Sequence, residues 1–147
     1  MADAGPNYAG DVSASQAWAL LKDHPHAQLV DVRTAAEWTF VGEPDLSSLG
    51  RKPVRAEWQV YPAMSRNPDF VAAVSEKLGA LGASRDRPIL CLCRSGGRSR
   101  AAAIALTQAG FAQAFNVGGG FEGDPDAAGH RGSANGWKAA GLPWRQT

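Results

Sequence analysis

The sequence predicts an α/β fold in which helices cover both faces of a parallel sheet, and three observations indicate it. Apolar runs of strand length occur at residues 28–32, 89–92 and 114–117. Segments with the apolar spacing of helices lie between them, at residues 70–81 and 101–106. Glycines and prolines separate the two kinds of segment. Strands that alternate with helices pair in parallel, because each helix carries the chain back to the same end of the sheet.

The composition fits one globular domain and excludes several classes of function. A chain of 147 residues can bury about two-thirds of its unfolded surface in a single core. Its net charge of +1 comes without a basic stripe, so nucleic acid is not an expected partner. No apolar run approaches bilayer length and the first residues lack the pattern of a signal peptide, so no membrane partner is expected. We therefore expect a soluble cytoplasmic protein.

The first segment of the chain is predicted to be a flexible tail that leads into the domain. Residues 1–10 are small and polar and contain glycine and proline, so the domain is expected to span residues 11–147. Ser13 and Gln16 have the spacing of a capping box, and apolar residues with helical spacing follow them. The sequence therefore predicts an N-terminal helix that docks on the sheet.

The strand at residues 28–32 is expected to be central, and it ends in two charged residues. Asp31 and Arg33 lie at its carboxyl end, where sites form in open α/β sheets. We predict that the two residues brace the loop around Cys93 from beneath, through a charge pair or hydrogen bonds. Direct contact with a substrate is the alternative. Thr34 and Glu37 form a second capping box, which gives Glu37 a structural role.

The middle of the chain is predicted to be a long surface loop, a short strand and a helix. Residues 42–53 are rich in glycine, proline and serine, and a strand is expected near residues 54–58. Trp58 can belong to the core or to a pocket rim, and the core is favoured. Asn67 followed by Pro68 predicts a helix start with asparagine as its cap.

The stretch at residues 88–100 carries the strongest chemical signal. A short apolar strand ends at Cys93, and a glycine-containing loop and an alanine-rich helix follow it. Helix starts attract anions, because their backbone N–H groups are unpaired and the helix dipole is positive there. We expect Gly96 and Gly97 to adopt positive φ, so that successive N–H groups turn toward the Cys93 sulfur. The hypothesis is that Cys93 is a thiolate nucleophile.

The loop after Cys93 is the candidate anion-binding segment, and its arginines add positive charge. Its members are Arg94, Ser95, Gly96, Gly97, Arg98 and Ser99. The competing interpretation is that Cys93 is a small buried hydrophobic residue. Cys91 lies two residues earlier on the same strand face, where core packing is favoured over a role as resolving thiol, because neighbouring same-face positions fit disulfide geometry poorly. A reducing compartment suits such thiols.

The C-terminal third of the chain offers a glycine turn and several polar groups. Phe121 follows residues 118–120, all glycine, and can be a pocket wall or simple packing. Solvated turns are favoured over cation ligands for the neighbouring acids and for the histidines, so neither a metal nor another cofactor is predicted. These groups are Glu122, Asp124, Asp126, His24, His26 and His130. A last helical turn is expected at residues 137–140, with Leu142 and Trp144 packed against the domain.

The segment Leu-Cys-Arg-Ser-Gly-Gly-Arg-Ser at residues 92–99 resembles the active-site loop of the rhodanese (thiosulfate sulfurtransferase) family. Three further stretches are similar to that family: residues 29–33 with Glu37 and Trp38, residues 116–121, and residues 136–144. The Gly-His-Ile-Pro-Gly-Ala-like stretch of such domains is replaced here by residues 40–46. The resemblance implies a single three-layer α/β/α domain with a parallel five-stranded sheet and Cys93 at the carboxyl end of a strand.

The resemblance also implies a sulfurtransferase that moves a sulfane sulfur through a Cys93 persulfide. The expected partners are thiosulfate or a related small anionic donor, a cyanide or thiol acceptor, and a sulfur-relay protein. One alternative is a sulfur-carrier or regulatory module with little turnover. Another is a cysteine phosphatase or arsenate reductase, whose loop has the form Cys-x5-Arg, but Arg98 comes one position too early for that pattern.

Overall fold

A computed structural model describes residues 7–146 as a five-stranded parallel sheet flanked by helices. In chain order the elements are β1 (Gly10–Val12), α1 (Ala14–Asp23), β2 (Gln28–Asp31), α2 (Ala35–Phe40), β3 (Glu43–Pro44), a 3-10 turn (Ser47–Leu49), β4 (Val54–Arg55), β5 (Gln59–Val60), β6 (Ser65–Arg66), α3 (Phe70–Ala80), β7 (Ile89–Leu92), α4 (Gly97–Gln108), β8 (Ala114–Val117), α5 (Gly136–Ala139) and β9 (Trp144–Arg145). The strand order is β1-β8-β7-β2-β4, and every neighbouring pair is parallel. The predicted fold class is confirmed.

Different helices cover the two faces of the sheet. Successive side chains of each strand point to opposite faces, so each strand contributes to both layers of the core. Leu29 and Leu92 pack with side chains of α1 and α5. Val30 and Cys93 pack on the opposite face with side chains of α3 and α4. The result is the expected three-layer arrangement. Within the described residues, no helix has both the length and the apolar character needed to cross a membrane.

The register of the central strands brings the candidate residues to one edge of the sheet. Asp31 at the end of β2 is level with Leu92 at the end of β7. Cys91 on β7 is level with Asn116 on β8. The segments that follow Asp31, Leu92 and Asn116 therefore meet at the carboxyl edge, as parallel strands require.

Two of the three helix starts predicted from capping patterns are confirmed, and one is shifted. Both capping boxes form, with Ser13 before α1 and Thr34 before α2. The prediction that Asn67 caps α3 is wrong, because that helix begins at Phe70 and follows Asp69. The Asn67 side chain instead accepts the backbone N–H of Asp69 at 3.0 Å, which forms a turn that precedes the helix.

The N-terminal boundary lies earlier than residue 11. Tyr8 is buried in the core, and the backbone N–H of Ala9 donates to the carbonyl of Ala114. Gly10 begins β1, which pairs with β8 at the edge of the sheet. This edge pairing holds residues 8–10 in the domain, so they are not part of a tail. The rest of the predicted tail, residues 1–6, lies outside the described residues.

The C-terminal segment forms the predicted helical turn and then a strand that was not predicted. α5 lies at Gly136–Ala139, and β9 pairs antiparallel with β3 in a small second sheet. Trp144 on β9 is 40% exposed, so it packs against the domain, as expected, without entering the core. Its ring contacts Phe121 edge-on, with 6.1 Å between ring centroids. The backbone of Trp144 pairs with Pro44 of the short strand β3.

Candidate active site

Cys93 lies directly after β7 and four residues before α4 begins at Gly97, and its sulfur faces the start of that helix. The backbone N–H of Gly96 donates to Sγ at 3.1 Å, and Ser99 Oγ lies 3.2 Å from the same sulfur. The residue is only 1% exposed. The sulfur is therefore held against polar groups at the positive end of a 12-residue helix.

The loop conformation differs in one respect from the prediction. Gly96 has φ of +121°, as expected, but Gly97 is the first helical residue of α4 and does not adopt positive φ. Within residues 7–146, Gly96 supplies the one backbone amide that donates to Sγ. The expected group of several inward amides is thus reduced to one amide and the Ser99 hydroxyl, because the chain enters the helix one residue earlier.

A buried hydrogen-bond chain runs from Cys93 toward β1. Ser99 Oγ lies 2.6 Å from Asn116 Oδ1, and Asn116 Nδ2 donates to Asp11 Oδ1 at 3.0 Å. The Tyr8 hydroxyl donates to the same Asp11 oxygen at 2.9 Å. Burial raises the pKa of Tyr8, and this hydrogen bond adds to the effect. Asn116 and Asp11 were not among the predicted site residues, and they meet because β1 pairs beside β8.

Asp31 and Arg33 form a fully buried ion pair beneath the loop. Arg33 Nε and Nη2 donate to the two Asp31 oxygens at 2.9 and 2.7 Å, and neither side chain is exposed. Arg33 Nη2 also donates to the carbonyl of Gly42, and the guanidinium lies 4.4 Å from the centre of the Phe121 ring. The Phe121 backbone N–H in turn donates to the carbonyl of Cys93 at 2.8 Å. The pair thus contacts the loop through Phe121.

The glycine turn after β8 holds the backbone of the loop. The N–H groups of Glu122 and Gly123 both donate to the carbonyl of Arg94. Gly120 has φ of +61°, and a Cβ there would lie 2.5 Å from the Cys93 carbonyl oxygen, closer than atoms can approach. Phe121 is fully buried, so of its two predicted roles packing is the one that the structure favours. Only glycine fits at position 120 without moving the loop.

Arg98 is tied to α2 by a bidentate ion pair. Its Nη1 and Nη2 atoms donate to the two Glu37 oxygens at 2.7 and 2.9 Å, and both side chains are less than 20% exposed. Burial raises the pKa of Glu37, but the hydrogen bonds and charge of Arg98 outweigh it, so the pKa is lowered. Glu37 therefore does more than cap α2, and it balances the charge that we expected Arg98 to offer an anion.

Arg94 and Ser95 complete the loop. Arg94 is exposed and makes no ion pair with any residue that the structure describes. Ser95 is half-buried, and no hydrogen bond of its side chain to another described residue is present. Arg94 is thus the arginine of the loop whose charge is not already balanced.

A cleft of about 670 Å³ opens over this loop. It is lined by polar residues near the loop and by apolar residues at its rim: Thr34, Ala36, Glu37, Phe40, Val41, Gln59, Tyr61, Met64, Arg94, Arg98, Glu122 and Arg131. Phe40 and Tyr61 at the rim are 78% and 62% exposed. A second cavity of about 720 Å³ lies along β4, and none of the candidate site residues lines it.

Cys91 is a core residue. It is completely buried between the sheet and α4, and it is not in a disulfide. Burial raises the pKa of its thiol to about 12. A thiol that stays protonated and has no access to solvent is suited to packing and not to the role of resolving thiol.

The remaining polar groups singled out in the sequence lie in surface turns. Asp126 accepts hydrogen bonds from the backbone of Ala128 and His130 and from the Ser133 hydroxyl. All three histidines of the chain are exposed. In the described part of the chain, no three His, Cys, Asp or Glu side chains are grouped closely enough to hold a metal ion.

Comparison with known proteins identifies the family. The model of the STR4 middle domain family matches residues 9–147, so the chain belongs to that family. An uncharacterized protein of Rickettsia conorii is 34% identical over 135 residues, which are 92% of this chain and 96% of that protein. The rhodanese-like domain-containing protein 4 of Arabidopsis thaliana, a chloroplastic protein, is 29% identical over 95% of this chain and 26% of its own length. The relatives of the chain therefore include rhodanese-like proteins.

Solved structures agree with the fold. The crystal structure of Rv0390 from M. tuberculosis is 51% identical, with a TM-score of 0.86 over 95% of this chain and 99% of that one. The polysulfide-sulfur transferase homodimer from Wolinella succinogenes is 21% identical, with a TM-score of 0.56 over 93% of this chain and 78% of that one. The second likeness is one of fold alone.

Proposed function

We propose that this chain is a sulfurtransferase that carries one sulfane sulfur as a persulfide on Cys93. The observation that carries the proposal is the polar setting of Sγ, which accepts the N–H of Gly96 and lies 3.2 Å from the Ser99 hydroxyl at the start of α4. Donors at a helix N-terminus stabilise negative charge on sulfur. A nucleophile in sulfur transfer needs that charge.

The proposed reaction has two steps, and both conserve electrons. The Cys93 thiolate attacks the outer sulfur of thiosulfate, so a new S–S bond forms while the S–S bond of the donor breaks and sulfite leaves with the electron pair. Cyanide or a thiolate then takes the outer sulfur and returns Cys93 as a thiolate. Neither step needs a general base. The exposed positions of all three histidines fit a reaction of this kind.

The two arginines of the loop are assigned different roles. Arg94 is exposed at the cleft and free of ion pairs among the described residues, so it attracts the anionic donor. Arg98 is held by Glu37 and fixes the first turn of α4 against α2. Residues 94–99 together form the proposed donor-binding loop, and Asp31 with Arg33 supports it from beneath.

A sulfur carrier that exchanges with a protein partner is the second candidate function. The specific observation in its favour is the exposed apolar rim of the cleft, where Phe40, Tyr61 and Met64 surround the approach to the loop. Exposed apolar side chains grouped at one site are typical of surfaces that bind other proteins. A sulfur-relay protein whose cysteine enters the cleft is the partner we propose for this case.

A phosphatase or arsenate reductase is disfavoured by the position of Arg98. Such enzymes hold a tetrahedral oxyanion with an arginine and several loop amides. Here both terminal nitrogens of Arg98 donate hydrogen bonds to Glu37. Among the described residues, the backbone N–H of Gly96 is the one loop amide that contacts the sulfur. A phosphate ester would therefore meet few of the donors it requires.

The test is incubation with thiosulfate followed by intact mass measurement and by assay of thiocyanate after addition of cyanide. We expect the wild type to gain the mass of one sulfur atom and to release thiocyanate. Cys93→Ser is expected to abolish both. Cys91→Ala is the matched control, because it removes the neighbouring thiol of the same strand face and leaves Cys93 in place. We expect this variant to keep both the mass gain and the release.

Three other results would each change the conclusion. Sulfur gain without thiocyanate turnover would support the carrier. Sulfur gain that persists in Cys93→Ser would contradict the assignment of the nucleophile. Hydrolysis of a phosphate ester such as p-nitrophenyl phosphate, with no sulfur uptake, would support the phosphatase.

A further inference from the structure

The Ser99 hydroxyl lies between two groups that compete for its single proton. Its oxygen is 3.2 Å from Cys93 Sγ and 2.6 Å from Asn116 Oδ1. A hydroxyl has one hydrogen to donate and can accept other hydrogen bonds with its lone pairs. Ser99 is fully buried, so water does not replace a partner that it loses.

The Asn116 side chain has a defined orientation because of Asp11. The Asp11 carboxylate can only accept hydrogen bonds, so the amide nitrogen of Asn116 must face it, at 3.0 Å. The amide oxygen therefore faces Ser99 and can only accept. Asn116 is 4% exposed, so this oxygen depends on Ser99 for a partner.

The direction of the Ser99 proton follows from the charge on the sulfur. When Cys93 is a neutral thiol, its S–H can donate to Ser99 Oγ while Ser99 donates to Asn116, and every group has a partner. When Cys93 is a thiolate, it needs Ser99 as donor, and Asn116 Oδ1 loses its buried partner. Asn116 thus opposes the thiolate, although Ser99 can stabilise it.

We propose that Asn116, oriented by Asp11, is a positioning residue that directs the Ser99 proton and so sets the balance between the thiol and thiolate forms of Cys93. This inference rests on the proposed role of Cys93 as the nucleophile. In a persulfide the negative charge lies on the outer sulfur, so Sγ no longer needs the proton and Ser99 can return to Asn116. Asn116 therefore favours the loaded state over the free thiolate.

Other charged or ionisable groups lie around the site, and they are unchanged in every variant compared except those altered at Asp11. They come from each element around the site: Arg94 in the loop, Arg98 on α4, Asp31 at the end of β2, Glu37 on α2, Cys91 on β7, Asp11 on β1 and Tyr8 before β1. Their contribution to the midpoint cancels when Asn116→Leu is compared with the parent protein of the same background, either wild type or Ser99→Ala.

The test is the rate of reaction with iodoacetamide as a function of pH. Asn116→Leu is the main variant, since leucine has nearly the shape of asparagine but cannot accept a hydrogen bond. We expect the midpoint of its rate profile to fall by about one pH unit, which corresponds to a tenfold change in the ionisation equilibrium. The same substitution in a Ser99→Ala background is expected to leave the midpoint unchanged, because the effect passes through the Ser99 proton.

Two results would overturn the proposal. One is a midpoint in Asn116→Leu that is unchanged or raised. The other is an equal shift with and without Ser99, which would mean that Asn116 acts by some other route. A merely structural role would lower stability but would not produce a shift that depends on Ser99.

Asp11→Ala provides a second variant if Asn116→Leu does not fold, because Asp11 is exposed and its removal leaves the core intact. We expect its midpoint to fall, and to fall less in the Ser99→Ala background, where only the lost charge acts. Equal shifts in the two backgrounds would contradict the proposal. Thiosulfate loading is measured separately. Shifts of the predicted kind in a protein that takes up no sulfur would uphold the positioning role and refute the sulfurtransferase.

Discussion

The buried ion pair beneath the loop gives the sharpest prediction about how the site is held. Asp31→Ala removes both carboxylate oxygens that face Arg33 and a third hydrogen bond, from the Arg33 backbone N–H at 3.2 Å. The guanidinium is then left with the Gly42 carbonyl and the face of the Phe121 ring. Arg33 Nη1 already has no hydrogen-bond partner among the described residues. The substitution therefore leaves an unbalanced buried charge.

The expected loss is large because neither side chain of the pair is exposed. Removing one partner of a buried ion pair costs about 3–5 kcal/mol. For a domain of this size each kcal/mol lowers Tm by about 2–4 °C, so the melting point should fall by about 6–20 °C. The total stability of such domains is about 5–15 kcal/mol, so Asp31→Ala should still fold at low temperature.

The assay is urea unfolding of three variants: Asp31→Ala, a control and a double variant. Thiosulfate loading of each is then measured well below its melting point. Asp69→Ala is the control, because Asp69 is exposed and its side chain caps nothing; its change should be within about 0.5 kcal/mol. The double variant Asp31→Leu/Arg33→Met removes both charges, and we expect it to recover most of the lost stability. If the pair only braces the loop, the double variant should recover sulfur loading together with stability. A double variant that is stable but does not load would refute bracing and support direct contact with the donor.

Three further predictions concern the ion pair of α2, the glycine turn and the free arginine. Glu37→Gln should lower the free energy of unfolding by about 1.5–3 kcal/mol at pH 7. Because the pKa of Glu37 is lowered in the folded chain, its stabilisation is complete above the ordinary value of 4.5 and is lost as the pH falls below it, so wild type and variant should converge in acid urea titrations. Gly120→Ala should slow sulfur loading and destabilise the chain by more than Gly129→Ala, where φ is also positive, at +81°, but no atom lies within 4 Å of the added Cβ. Both substitutions introduce the strain of an alanine at positive φ, about 1–2 kcal/mol. Equal losses of stability in the two variants would therefore contradict a clash between the added Cβ at position 120 and the Cys93 carbonyl. Arg94→Ala should raise the KM for thiosulfate at low ionic strength, and the difference should shrink in 1 M salt; a ratio independent of salt would argue against electrostatic attraction.

Local patterns in the sequence predicted the elements that carry the site. The strand Ile89–Leu92 and the helix after it follow from an apolar run that stops at Cys93 and from the alanines that come after the loop. Both capping boxes were predicted because each depends on residues three apart in the chain. Such features are determined by neighbours in sequence, so no knowledge of the tertiary structure is needed.

Contacts between distant segments could not be predicted in the same way. The Glu37–Arg98 pair joins residues 61 positions apart, and the Asn116–Asp11 bond joins residues 105 apart. Each depends on the strand order β1-β8-β7-β2-β4, which puts the first strand beside the last strand of the sheet and α2 beside α4. The start of α3 was misplaced for a related reason, because Asn67 also donates to the Glu57 carbonyl in a neighbouring segment, which holds it in a turn.

The small number of donors at Cys93 is itself informative about the chemistry. A tetrahedral dianion spreads charge over several oxygens and requires donors around all of them. The Cys93 thiolate carries its charge on the single atom Sγ, so one amide, one hydroxyl and the start of α4 are sufficient in number. Because Glu37 already balances Arg98, the loop has no second uncompensated cation that would hold the sulfite released in the proposed reaction. A loop with few donors and one free arginine therefore favours transfer of a sulfur atom over binding of a phosphate.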